Sequence, residues 1–283
     1  MKSIHYTLIF NLLAITAANA AGGMVVNEYY SGSVGTIGST AMAGDDYIEF
    51  ALTQNMTSAA LAALTFGDSN SSTSAFGGVF QFDKSTLDSV LSAAKRTTFL
   101  AGTIIVVAGA DYSQNLTYNP LATNVTNNDA WSIQLVAGQG AKSDSDFKKG
   151  GDISLSITGD AVWVSTDNPP SSTTDTSNLI SGMVHSDGSL GTVGTAIKNQ
   201  FGSSHIYTDS QPYGSSISNT GSDAVTVLAL VSGGTIAAPN GGANTVWIDG
   251  LRLAAATPEP SRALLALFSI ATCLLKRQRP TRP

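Results

Sequence analysis

Short runs of β-branched and aromatic residues recur along the chain between clusters of Gly, Asn, Ser and Asp, and each run reads as a strand. They are Met24 to Tyr30, Tyr47 to Leu52, Val79 to Phe82, Thr103 to Ala108, Trp131 to Val136, Ile153 to Ile157, Ala161 to Ser165, Ala224 to Val231 and Thr245 to Leu253. Many short strands separated by turn signals predict an all-β sandwich or barrel. Strict alternation in Ile153-Ser154-Leu155-Ser156-Ile157 predicts a half-buried strand, whereas Ile104-Ile105-Val106-Val107 is apolar on both faces and predicts a central one. Only Ser85 to Lys95 has helical spacing, with Leu87, Val90, Leu91 and Ala94 on one side and Asp83 placed to cap it, so one short helix is expected. From Asn168 to about Ser222 the chain turns rich in Gly, Ser and Thr behind Pro169-Pro170. That stretch, within residues 167–222, is either a long insertion with a few edge strands or a mobile excursion.

Two apolar stretches stand apart from this pattern. Residues 1–20 run from Lys2 through an apolar stretch, Thr7 to Ala17, to Ala18-Asn19-Ala20. A single early positive charge, a short apolar core and an A-x-A site predict a signal peptide cleaved after Ala20. An N-terminal core helix is the alternative, but no polar face marks one. At the other end, residues 256–283 hold Pro258-Glu259-Pro260, apolar Ala263 to Leu275, and a cationic stop of Lys276, Arg277 and Arg279. A helix of that apolar length spans about 20 Å at 1.5 Å per residue, short of a ~30 Å hydrocarbon core. Arg262 and Lys276 must therefore snorkel, or the bilayer must thin. The basic cluster is expected on the cytoplasmic side, which places everything upstream outside.

These last residues resemble the PEP-CTERM sorting signal, the substrate tail of exosortases in Gram-negative bacteria that make extracellular polysaccharide. The resemblance implies recognition at Pro258-Glu259-Pro260 by a membrane-embedded protease, removal or exchange of the tail, and release of the ectodomain to the cell surface or matrix. The implied partners are the secretion translocon, signal peptidase and exosortase. A permanent single-span anchor has the same hydropathy and stays open.

Composition narrows what lies between the signals. Residues 21–260 carry all 20 acidic side chains and eight of the 14 basic ones, a net charge of −12. Phosphate binding needs a basic face, so nucleic acid is not an expected partner. The one cysteine, Cys273, lies in the tail, and the ectodomain must rely on its core without disulfides. Residues 21–255 are long enough for one sizeable core and are expected to form one domain.

Within that domain, Val25-Val26-Asn27-Glu28 and Asp45-Asp46-Tyr47-Ile48-Glu49-Phe50 look like the opening of lamin-tail domains. Ala101-Gly102-Thr103-Ile104-Ile105-Val106-Val107 and Gly159-Asp160-Ala161-Val162-Trp163-Val164 resemble their later strands. The resemblance covers residues 24–166 and implies an immunoglobulin-like β-sandwich used as a binding or structural module. The chain departs from it by inserting Phe76 to Leu100 and by continuing to Ala255. There Pro239-Asn240-Gly241-Gly242-Ala243-Asn244 and Trp247-Ile248 resemble an ending found in some exported relatives.

Candidate chemistry is sparse. No Gly-x-Ser-x-Gly elbow, His-Glu-x-x-His or P-loop occurs, and His185 and His205 stand without spaced metal ligands. Asp144-Ser145-Asp146 begins like a calcium loop, but Lys148 and Lys149 occupy positions that need an oxygen ligand and a glycine. Glu28 and Glu49 are expected to face each other across neighbouring strands, where two carboxylates repel unless a cation, with calcium the candidate, or a proton lies between them. Tyr30, Tyr112, Tyr118 and Tyr213 are candidates for stacking on sugar, while Trp131, Trp163 and Trp247 sit in apolar strands and are expected in the core. The expected function is that of a non-enzymatic structural or adhesive protein of the surface or matrix. A carbohydrate-binding module acting on exopolysaccharide and a secreted hydrolase are the alternatives.

Overall fold

The structure, a computed structural model, describes residues 23–30, 35–37, 40–42, 47–70, 75–108, 118–136, 147–149, 153, 155, 159–166, 169–186, 191–202, 206–207, 215–219, 225–228, 237–239 and 242–257. The chain begins with strands β1 (Met24–Tyr30), β2 (Gly35–Ile37), β3 (Thr40–Met42) and β4 (Tyr47–Leu52). Helix α1 (Ser58–Ala62), β5 (Thr65–Asn70), β6 (Val79–Phe82) and helix α2 (Lys84–Ala93) follow. Next come β7 (Ile104–Ala108), β8 (Ser132–Val136), β9 (Phe147–Lys149), β10 (Gly159–Ser165) and β11 (Leu179–Ser186). Helix α3 (Gly191–Phe201), β12 (Ile206–Tyr207), β13 (Ser215–Asn219), β14 (Val225–Leu228) and helix α4 (Gly242–Ala256) complete the order.

Most of these elements are strands in two six-stranded sheets, ordered β14-β13-β1-β4-β7-β8 and β12-β11-β10-β5-β6-β9, with β2 and β3 as a separate ribbon. The sheets pack face to face as a β-sandwich. Met24, Val26, Ile48, Phe50, Ile105 and Val107 of the first sheet meet Phe66, Phe80, Phe82, Val162, Val164 and Met183 of the second in one buried cluster. Phe66 is its hub, with ring centroids 4.9 Å from Phe50, 5.3 Å from Phe80, 4.8 Å from Phe82 and 6.1 Å from Phe147. The doubly apolar run of β7 occupies an interior position, and all five of its residues are buried, as a central strand requires. Asp83 caps α2 by accepting from Ser85 N at 2.8 Å and Thr86 N at 3.1 Å, and Leu87 and Leu91 close one end of the core.

The alternate residues of each sheet face outward and are also covered. On the second sheet, Ala161, Trp163 and Val184 pack under Val193, Ala196 and Ile197 of α3. On the first, Tyr47, Ala51, Ile104 and Val106 pack under Ile248 of α4 and Ala237. The order through the molecule is helix, sheet, sheet, helix.

Several expectations need correction. Thr245 to Leu253 is not a strand but lies within α4, and the described residues hold four α-helices where one was expected. Ile153 and Leu155 are buried in the core but belong to no strand. Of Ala224 to Val231, Val225–Leu228 forms the strand. The segment 167–222 supplies interior strands to both sheets, β11 between β10 and β12 and β13 between β14 and β1, so it is neither an excursion nor confined to edges. Its polar residues hid it. Ser181 accepts a hydrogen bond from Val26 N across the sandwich at 3.1 Å. A Cβ at Gly182 would stand 3.2 Å from Ile197 of α3, so a small residue lets that helix pack closely.

Phe66→Ala empties the hub of the aromatic cluster and is expected to cost about 3–5 kcal/mol of folding free energy. Urea unfolding followed by tryptophan fluorescence measures the loss.

Candidate functional site

A bulge in β1 builds the most unusual site. The register against β4 pairs Val26 with Phe50 and then Glu28 with Glu49, leaving Asn27 as the extra residue. Strict alternation would send Val26 and Glu28 to the same face. With the extra residue, Val26 and Tyr29 both enter the core, and Glu28 shares the outer face with Glu49. The two glutamates are therefore cross-strand partners, as the sequence predicts, and both are buried.

Hydrogen-bond partners of Glu49 come from two distant parts of the chain. Asn27 Nδ2 donates to Glu49 Oε1 at 2.7 Å, and Ala237 N–H donates to Glu49 Oε2 at 2.7 Å. Asn244 Nδ2, near the start of α4, donates to Asn27 Oδ1 at 2.9 Å and so ties the helix to the bulge. The Tyr47 hydroxyl donates to Glu28 Oε1. Ala237 has a φ of 62°, a left-handed conformation that costs a non-glycine residue energy. It is held at both ends, by its N–H on Glu49 and by its carbonyl, which accepts from the Ser132 hydroxyl at 2.7 Å.

Burial, and then the neighbouring Glu28 carboxylate, hold the Glu49 carboxyl well above the ordinary glutamate value of 4.5, against the lowering effect of its hydrogen bonds and of Arg252. This arrangement suits a proton better than calcium. Both Glu49 oxygens already face N–H hydrogens, which repel a cation, and among the described residues no three His, Cys, Asp or Glu side chains gather where a metal ion could sit.

Two turns further along α4, Arg252 is fully buried. Its Nε donates to Gly102 O at 2.9 Å, and Nη1 donates to Val125 O and Asn128 Oδ1, each at 2.9 Å. The guanidinium lies over Trp131, 5.6 Å from the ring centroid, and Asp249 Oδ1 is 3.5 Å from Nη1. Burial pulls its pKa down to about 10, opposed by Asp249 and Glu49, so it stays charged at neutral pH. Gly102, at φ 81°, makes the approach possible, since a Cβ there would stand 2.8 Å from Arg252 N.

The other candidate residues fall elsewhere. Tyr118 is not a sugar platform: it is 5% exposed, and its hydroxyl accepts from Leu100 N at 2.9 Å and lies 3.0 Å from Thr103 Oγ1. Trp131 and Trp163 are buried as expected, but Trp247 is half-buried on α4 and not in a strand. Tyr30 ends β1, and nothing further is described of its side chain. His185 stands opposite Asp160 in the β10–β11 register. Tyr112, Tyr213, His205, Asp144, Asp146, Ala18, Ala20, Pro258, Glu259, Pro260, Lys276, Arg277 and Arg279 lie outside the described residues. Asn27, Tyr47, Asn244 and Arg252 were not read as site residues from the sequence. Asn27, Tyr47 and Asn244 come from three separate segments of the chain, around Glu28, Glu49 and Asn244, and these segments converge here.

No family model, curated protein or solved structure matches the chain. What the cluster does must therefore be read from its own chemistry. It joins a helix to a sheet through buried polar groups.

The folded protein holds a proton at Glu49 that the unfolded chain releases above the ordinary glutamate value of 4.5. The raised value contributes stability that is complete below that pH and is lost as pH rises towards the folded-state value. The melting temperature is expected to fall as pH is raised from about 5 to about 8, and Glu28→Gln, which removes the like charge, is expected to flatten that slope. Thermal unfolding across this range measures both.

Arg252→Ala leaves buried carbonyls without donors and is expected to cost about 3–5 kcal/mol. Thermolysin should then cut within α4 before it cuts the sandwich, and mass spectrometry of early fragments locates the cut.

Proposed function

We propose that this chain is an exported protein of a Gram-negative bacterium, a structural or adhesive component of the cell surface or extracellular matrix that acts without catalysis. Its sandwich is lamin-tail-like and immunoglobulin-like. The observation that carries this reading is where the packed body sits relative to the two apolar stretches. β1 begins at Met24, just past the expected cleavage after Ala20, and α4 ends at Ala256, just before Pro258-Glu259-Pro260. Cutting at either place leaves every described strand and helix intact, as a pair of removable export addresses requires.

Two further features support it. The buried carboxylates serve a joint between helix and sheet and accept from N–H donors, whereas glycosidase chemistry needs its acids to flank a bound sugar. The segments that resemble the lamin-tail opening lie side by side, with their glutamates in register. On this reading the translocon and signal peptidase handle the N-terminus, an exosortase handles the tail, and exopolysaccharide is the surrounding material.

Fractionation of cells with and without the sorting protease, with the mass of the protein measured in each fraction, tests the proposal. The protein is expected at the surface or in the medium, lacking residues 1–20 and the tail, when the protease is present. Without the protease it is expected to be held at the inner membrane with the tail attached. Full-length chains dissolved in the cytosol would refute it.

A further inference from the structure

The polarity of α4 is inverted. Its inward face presents Asn244, Ile248 and Arg252, all fully buried, while Val246 is 75% exposed and Leu253 is 54% exposed on the opposite face. Only three large hydrophobic side chains among the described residues are exposed, and these are two of them. Gly250 lies between them, and a Cβ added there would meet nothing within 4 Å. Spacings of four and three place Val246, Gly250 and Leu253 on one open stripe. That stripe carries no charge, although residues 21–260 are strongly acidic. Asp249, three residues after Val246 and four before Leu253, borders the stripe, but its side chain is only 28% exposed and turns to Arg252, with Oδ1 3.5 Å from Nη1. An acidic body that turns an apolar stripe outward presents a face that can approach lipid at little electrostatic cost.

Chain length says what the stripe meets. Between the last residue of α4, Ala256, and the start of the apolar tail at Ala263 lie only Thr257 to Arg262. Fully extended, that linker reaches roughly 24 Å, and its two prolines restrict the paths it can take. A tail held in a bilayer therefore keeps α4 within reach of the same surface.

We propose that α4 is a membrane-resting helix: while the tail is inserted, the Val246–Gly250–Leu253 stripe lies on the lipid surface and sets the orientation of the sandwich, with α3 pointing away. This inference rests on the reading of Ala263 to Leu275 as a membrane segment. The contact is apolar, so it should persist at high salt.

The chain from Ala21 to Pro283, which keeps every described element, serves as the test protein. It carries Cys273→Ser and one bimane-labelled cysteine, introduced as Val246→Cys, Leu253→Cys or Asn199→Cys, the last on the exposed side of α3. All three positions are solvent-exposed, so the substitutions leave the core untouched. In phosphatidylcholine vesicles containing a doxyl-lipid quencher, about half the fluorescence at 246 and 253 is expected to be lost and none at 199, unchanged at about 0.5 M salt. Protein that floats with the vesicles but is unquenched at 246 and 253 overturns the inference and leaves the membrane tail standing. Equal quenching at all three positions overturns it too, because the sandwich then has no set orientation. Protein that does not float removes the membrane tail and the inference with it.

Discussion

Glu49 sits near the middle of a six-stranded sheet, on the face away from the main core, with no exposure to water. A carboxyl group in that position costs several kcal/mol if it is ionised and unpartnered. The architecture around it meets that cost. The β1 bulge turns Asn27 and Glu28 towards it, the segment at Ala237 adopts a left-handed conformation to give it an N–H, and α4 reaches it through Asn244. Remove the carboxyl, and neither the bulge nor the strained alanine has a reason to be there.

The two outer helices show what this constraint does. α3 covers its sheet in the ordinary way, with Val193, Ala196 and Ile197 buried and Lys198, Asn199 and Gln200 exposed. α4 covers a sheet that holds two glutamates and turns two polar side chains inward, Asn244 onto Asn27 beside Glu49 and Arg252 onto the Gly102 and Val125 carbonyls and Asn128. Val246 and Leu253 are left on the other side. The buried polar joint and the exposed apolar stripe are thus two faces of one solution.

The joint also ties together parts of the chain that are far apart in sequence. Hydrogen bonds link Asn27 to Asn244, Glu49 to Ala237 and Arg252 to Gly102. Each closes a long loop between the C-terminal part of the chain and the first sheet or its flank. A polar joint of this kind specifies one position for the helix more narrowly than apolar packing does, because an offset of one turn would leave buried charges without partners.

Much of the sandwich was legible from periodicity. The strands at Met24, Tyr47, Val79, Ile104 and Ser132 and the Asp83-capped helix follow from local pattern, since alternation and capping are properties of neighbouring residues. The Glu28–Glu49 pairing was legible too, as two acids in apolar strands. What the sequence could not show was the bulge, which changes which face each residue meets, and α4, whose buried face is polar and whose β-branched residues mimic a strand. β11 was hidden for the same reason, because Ser181 and Gly182 are chosen by a neighbouring sheet and helix and not by their own strand. Local pattern determined many of the strands, while partners brought together from opposite ends of the chain decided the outer face of the first sheet, because a buried polar group is satisfied by whatever folds against it.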